Sequence, residues 1–217
     1  MKYDYLLFDM DGMLVDTREG ILKCARHALS VFGIEVEDLS SLTKFVGPPL
    51  RQSFMEFYGF SEEDAAKAVS IYRQRYSEKG QFECYVFQGV PEMLEALLEK
   101  GYRICIATSK LESYARTMLE RLGIGKYFEK VIGATPDEAV STKDQVIEEA
   151  LKRMGITHRR MALMIGDRKH DVLGAKKCGL DSFGVYMGCA EPGEHEGAGA
   201  TYIASSIEEL KDVLLTF

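Results

Sequence analysis

The 217-residue sequence has no Cys-x-x-Cys pair, no Gly-x-Gly-x-x-Gly after its first predicted strand, no internal repeat and no apolar run of membrane-spanning length. The first absence, with no histidine cluster beside any cysteine, argues against structural zinc. The second argues against dinucleotide binding. The last excludes a transmembrane helix, and Asp4, Asp9 and Asp11 interrupt any N-terminal apolar stretch that could serve as a signal peptide. Five cysteines (Cys24, Cys84, Cys105, Cys178 and Cys189) are odd in number and widely spaced, several inside apolar runs. Reduced, buried thiols in a cytoplasmic protein are therefore expected. Positive charge is also short: 27 Lys and Arg against 34 Asp and Glu leave a net charge of −7. Neither nucleic acid nor a membrane is the expected partner, and a phosphorylated ligand would need local positive charge inside its site.

What is present is a hydrophobic content of 46%, enough to bury a real core. Tyr5 to Phe8 reads as a buried strand, and it runs directly into Asp9-Met10-Asp11-Gly12. Residues i and i+2 of an extended chain point the same way, so both carboxylates can face one crevice at the strand's carboxyl end. Gly12 allows the backbone close to a ligand. An acidic pair there invites a cation and a phosphate, although Asp and Gly also make ordinary turns.

After Val15 the spacing turns helical over Ile21 to Phe32, then over Leu42 to Val46, Leu50 to Tyr58 and Ser61 to Tyr76, with breaks at Gly47-Pro48-Pro49 and Gly59. From Gly89 onward helices and strands alternate. Strands are expected at Tyr102 to Ala107, Val131 to Gly133, Met161 to Ile165, Ser182 to Tyr186 and Thr201 to Ile203, and Gly188 to Gly199 reads as a solvated loop. Such alternation implies an α/β fold, a doubly wound parallel sheet covered on both faces. The chain then divides into a core of residues 1–15 and 88–217 and an inserted all-α helical cap of residues 16–87, hinged near Val15–Thr17 and Val86–Gly89.

In that architecture the carboxyl ends of the later strands converge on the crevice of Asp9. They carry Thr108-Ser109-Lys110 and Gly166-Asp167-Arg168-Lys169-His170-Asp171, while Lys143 opens the helix after Ser141-Thr142. Separately these read as an N-cap, a turn and a surface lysine; their ordered placement is what points to a site.

With these four motifs in order, the chain resembles the haloacid dehalogenase superfamily, in its phosphatase branch with a helical cap inserted after the first motif. FDMDGMLVD matches the first motif, the strand ending in Thr108 the second, Lys143 the third and GDRKHD the fourth. The resemblance extends over essentially the whole chain. It implies a Rossmann-like core and an Mg²⁺-dependent phosphatase acting on a small-molecule phosphate ester, as monomer or homodimer. Asp9 would be the nucleophile and Asp11 the acid and base. Mg²⁺ would be held by Asp9, the backbone carbonyl of Asp11, and Asp167. Thr108, Lys143 and the N–H groups of Asp11 and Gly12 would bind the phosphoryl oxygens, and Asp171 would orient Lys143 or a metal-bound water. The acid role needs a protonated Asp11, which neighbouring acids would favour. Met13 stands where the family usually has a small hydroxyl or β-branched residue, so a hydroxyl role there is lost.

Asp11 and Asp167 argue against the dehalogenases and phosphonate-cleaving enzymes of the same superfamily, which lack the second acid. The cap segment around Arg51 resembles that of phosphoglycolate phosphatases and nucleotidases, and Arg51, Ser109 and Lys110 are the expected substrate contacts. Two other readings remain beside the phosphatase: a phosphosugar mutase resembling the β-phosphoglucomutases, and a non-catalytic phospho-acceptor module.

Overall fold

A computed structural model of the chain describes residues 2–137, 139–188 and 190–217. Its main sheet has six strands in the order β5-β4-β1-β6-β7-β8, formed by β1 (Tyr5–Phe8), β4 (Arg103–Leu111), β5 (Lys130–Ala134), β6 (Ala162–Gly166), β7 (Asp181–Val185) and β8 (Tyr202–Ala204). Every neighbouring pair in it is parallel. Alternate side chains divide between two cores, as a strand's period of two requires. Leu6, Phe8, Ile104, Ile106, Leu163 and Ile165 enter one, whereas Leu7, Cys105, Ala107, Ala162 and Met164 enter the other.

The first core is closed by α1 (Arg18–Val31), α4 (Val90–Glu99), α5 (Glu112–Arg121) and α9 (Ile207–Thr216), and the second by α6 (Lys143–Met154) and α7 (Lys169–Lys177). Helices thus cover both faces of a parallel sheet, the doubly wound arrangement that the alternation predicts. Between α1 and α4 the chain forms a 3₁₀ segment (Leu39–Phe45), α2 (Leu50–Tyr58) and α3 (Glu62–Glu78), and none of it joins the main sheet. Ser61 caps α3 by accepting the Asp64 N–H at 3.1 Å, as its position before three acids suggests.

Two features escape the periodicity. The ends of the helical segment pair as an antiparallel ribbon of β2 (Val15–Asp16) and β3 (Tyr85–Val86). Two-residue strands carry no pattern to read. The segment 188–199 is not simply a solvated loop, because α8 (Glu194–Ala198) folds within it and buries His195 against Gly184 and the Tyr186 ring. The thiols fit expectation: Cys24, Cys105 and Cys178 are buried, Cys84 is half-buried and all four are free, while Cys189 lies outside the described residues.

Asp16 ties the ribbon together. Its Oδ1 accepts the Arg18 N–H at 3.0 Å and Arg18 Nε at 2.9 Å, and its Oδ2 accepts the Tyr85 hydroxyl at 2.9 Å. Burial alone would raise the Asp16 pKa, but these donors and the Arg18 charge outweigh it and hold the pKa below the usual carboxylate value. A depressed carboxylate contributes stability above its unfolded pKa of about 3.9, and loses it as pH falls through its folded value. Asp16→Asn should therefore lower stability by about 1–2 kcal/mol at neutral pH, with the gap to the parent narrowing below about pH 4. Denaturant melts of both proteins across that range check it.

Candidate active site

The sheet's carboxyl edge gathers the ordered motifs. At the end of β1 the chain turns sharply, with Gly12 N–H bonded to Val15 O and both Leu14 and Val15 N–H groups bonded to Met10 O. Gly12 takes a φ of +81°, a left-handed conformation that favours glycine. The turn leaves Asp9 and Asp11 nearly buried at the floor of a cavity of about 130 Å³. Met13 points the other way, into the apolar core, where a thioether is at home.

Asp9 Oδ1 accepts the Met10 N–H at 2.7 Å and lies 3.0 Å from Lys143 Nζ. Lys143 stands in the first turn of α6, where Gln145 Oε1 accepts the Thr142 N–H at 3.1 Å to close the helix start. Its ammonium also reaches Asp171 Oδ1 at 2.8 Å and the Ala107 carbonyl at 3.1 Å. Lys143 is therefore no surface lysine. Burial works against its charge, but Asp171 and Asp9 outweigh burial and hold its pKa above the ordinary lysine value. Burial, with the like charge of Asp9, pushes Asp171 up to about 6 against the pull of Lys143.

Asp167 is fully buried at the end of β6. A Cβ at Gly12 would come within 2.2 Å of its Oδ2, and one at Gly188 within 2.3 Å. Two glycine backbones thus press on this carboxylate, and neither neighbour tolerates a side chain as packed. Oxygens of Asp9, Asp167 and Asp171 all lie within 4.8 Å of one another. Asp171 was expected to orient Lys143 or a metal-bound water; it binds Lys143, and it also belongs to this carboxylate cluster.

The second motif is shaped by an irregularity in β4. Ala107 pairs with Ile132 and Leu111 with Ala134, so four steps along β4 match two along β5. Thr108-Ser109-Lys110 thus stand against Gly133 alone, a surplus of two residues, and such a bulge re-aims side chains. All three line the cavity. The N-cap alternative for Thr108 is not realised: α5 begins after Leu111 with no side-chain cap, and Thr108 Oγ1 instead accepts the Lys110 N–H at 3.3 Å.

Lys110 reaches Asp11, with Nζ 2.7 Å from Oδ2. The expectation that acids crowd Asp11 is corrected here, because its carboxylate meets a buried ammonium delivered by the bulge. Burial opposes the charge of Lys110, but Asp11 overcomes it and raises the pKa. Asp11 Oδ1, also buried, has no hydrogen-bond partner among the described residues.

From the helical segment, Arg51 opens α2 after Gly47-Pro48-Pro49, and all four residues line the cavity together with Tyr72, Arg73 and Tyr76. One contact between the fourth motif and the helical segment was not foreseen. Arg168 donates through Nη1 to the Val46 carbonyl at 2.9 Å and through Nε to Glu194 at 2.9 Å, while Glu194 also accepts the Lys169 N–H at 2.7 Å. Arg168 thereby links the fourth motif to the helical segment and to α8. Only recognising α8 as a helix would have pointed to Glu194.

Known proteins place this geometry. The family model described as "Haloacid dehalogenase-like hydrolase" matches residues 6–185. The chain is 38% identical over 214 residues to a 5'-nucleotidase of Pseudomonas aeruginosa, covering 99% of this chain and 96% of that protein. It is 35% identical over 211 residues to the tyrosine-protein kinase PtkA of Mycobacterium tuberculosis, covering 96% of this chain and 72% of that one. A crystal structure of a predicted phosphatase from Clostridium acetobutylicum superposes with a TM-score of 0.97 at 43% identity, each chain covered in full.

Proposed function

The chain belongs to the haloacid dehalogenase-like hydrolase family as a phosphatase, and we propose that it hydrolyses a small phosphomonoester with Mg²⁺ through a phosphorylated Asp9. The observation that carries this reading is the placement of Asp9 at the cavity floor, with Lys143 at 3.0 Å and the carboxylates of Asp167 and Asp171 within 4.8 Å.

The donor set fits the metal. It consists of carboxylate oxygens with no thiol or imidazole, as a hard cation prefers. Asp9, Asp167 and the Asp11 carbonyl would hold the ion, with Asp171 adjoining them. Bound there, the cation would offset the repulsion between these acids and a phosphate dianion, and polarise a phosphoryl oxygen.

The chain's own residues supply the rest. Asp9 attacks phosphorus in line and the ester oxygen departs with a proton from Asp11; water then displaces phosphate from Asp9 after giving a proton to Asp11. Lys143, Thr108 and the N–H groups of Asp11 and Gly12 neutralise the phosphoryl oxygens. Residues 16–87 act as a cap over the core of residues 1–15 and 88–217, with Arg51, Ser109 and Lys110 facing the leaving group. Phosphoglycolate and nucleoside 5'-monophosphates are the leading substrates, the latter in keeping with the 5'-nucleotidase relative.

Chelation by EDTA should cut p-nitrophenyl phosphate hydrolysis by roughly 100-fold or more, with Mg²⁺ restoring it. Undiminished turnover in chelator refutes the metal requirement. Isomerisation of β-glucose 1-phosphate without phosphate release would instead identify a mutase.

A further inference from the structure

Among the residues lining the cavity, Tyr76 carries a buried hydroxyl that the chemistry above leaves unused. Tyr76, on α3, is 2% exposed and lines the same cavity as Asp11. Its ring is fixed from several sides. It stacks on Tyr72 with centroids 5.7 Å apart and planes 9° apart, and Tyr114 packs at 5.4 Å. The Lys110 ammonium sits 4.8 Å from the ring centroid, so the cation that binds Asp11 also seats Tyr76. A Cβ at Gly80 would come within 2.9 Å of Tyr76 Cδ2.

Yet the Tyr76 hydroxyl has no hydrogen-bond partner among the described residues. Buried phenols usually find one, and an unpaired buried donor costs stability. Burial and then the Asp11 charge push this phenol's pKa well above its usual value, so the group keeps its proton and remains a donor. An unpaired, rigidly held donor beside an active carboxylate is preorganised for a ligand.

We propose that the Tyr76 hydroxyl donates a hydrogen bond to an acceptor on the leaving group, which makes Tyr76 a specificity-determining residue. The inference rests on the phosphatase reading of the same site. Two further observations define the substrate class. The cavity, about 130 Å³, is of the order of one that holds a benzene molecule, which favours a small leaving group such as that of phosphoglycolate over the nucleosides named above. Among the described residues, the charged side chains lining it besides Asp9 and Asp11 are the cations Arg51, Arg73 and Lys110, the last paired with Asp11. The substrate is then a short-chain phosphomonoester whose leaving group ends in a carboxylate or carbonyl. A site that hydrogen-bonds such an acceptor also rejects analogues lacking it.

The test compares 2-phosphoglycolate with ethyl phosphate, close in size and differing in the acceptor, in the parent and in Tyr76→Phe. Expected is a parent preference for phosphoglycolate in kcat/KM that falls roughly tenfold or more in Tyr76→Phe, without a fall in melting temperature. A purely structural role would lower the melting temperature and leave the preference intact. An unchanged preference overturns the inference. Should Tyr76→Phe fail to fold, the parent decides, since equal kcat/KM for the two esters also overturns it. Failure of the underlying reading looks different: the parent would then hydrolyse neither ester nor p-nitrophenyl phosphate.

Discussion

Asp9→Asn is expected to reduce phosphomonoester hydrolysis by about 10⁴-fold or more while leaving the fold intact. Asp9 Oδ1 is committed to the Met10 N–H and to Lys143, which leaves Oδ2 to attack phosphorus. An amide nitrogen or a tethered amide oxygen at that place is a far poorer nucleophile than a carboxylate, and the covalent route closes. Stability should hold because Lys143 keeps Asp171 at 2.8 Å and the Ala107 carbonyl at 3.1 Å. Removing Asp9 leaves the buried ammonium paired, and a neutral side chain relieves the like-charge contact with Asp171. Thermal melts should therefore differ little between the two proteins, so that the lost activity reports chemistry. A variant that keeps more than a few per cent of parental kcat contradicts the nucleophile assignment.

Asp11→Asn is the second large effect, and its size should depend on the leaving group. Lys110 occupies Oδ2, while Oδ1 is buried without a hydrogen-bond partner among the described residues, so Oδ1 is the oxygen able to pass a proton. Loss of a general acid costs about 10²–10⁴-fold when the departing alkoxide is a strong base. Nitrophenolate leaves without such help. The loss on p-nitrophenyl phosphate should then be at least tenfold smaller than on an alkyl phosphate such as phosphoglycolate. Because the proposed mechanism uses the same carboxylate to activate water in the second half-reaction, the variant should also accumulate phosphorylated protein and show a burst of nitrophenol. Steady-state and rapid-mixing kinetics on both esters check this pair of expectations, and an equal loss on both substrates without a burst contradicts the assignment.

Much of the site is legible in the sequence because it depends on short, local patterns. A buried strand running into Asp9-Met10-Asp11-Gly12 fixes where the acids stand, and alternating helices and strands dictate that Thr108, Lys143 and Asp167 arrive at the same edge. What is not legible depends on irregularity or on distant partners. The bulge that carries Lys110 to Asp11 appears only when β4 is laid beside β5, since residues 108–110 taken alone resemble a helix start. The strut from Arg168 to Val46 spans more than a hundred residues of sequence. The β2–β3 ribbon is two residues long on each side, too short for any periodicity. Nothing in the spacing of Tyr72 and Tyr76 separates a buried helix face from a cavity wall; they are both, and only the unpaired hydroxyl of Tyr76 distinguishes them.

The most direct test of the nucleophile assignment is mass spectrometry of protein quenched with acid during turnover of p-nitrophenyl phosphate in Mg²⁺, in the parent, in Asp11→Asn and in Asp9→Asn. The account predicts one phosphoryl group on the peptide that contains Asp9, more abundant in Asp11→Asn and absent from Asp9→Asn. Full turnover with that peptide unmodified in every sample, or a phosphoryl group on another residue, would contradict it.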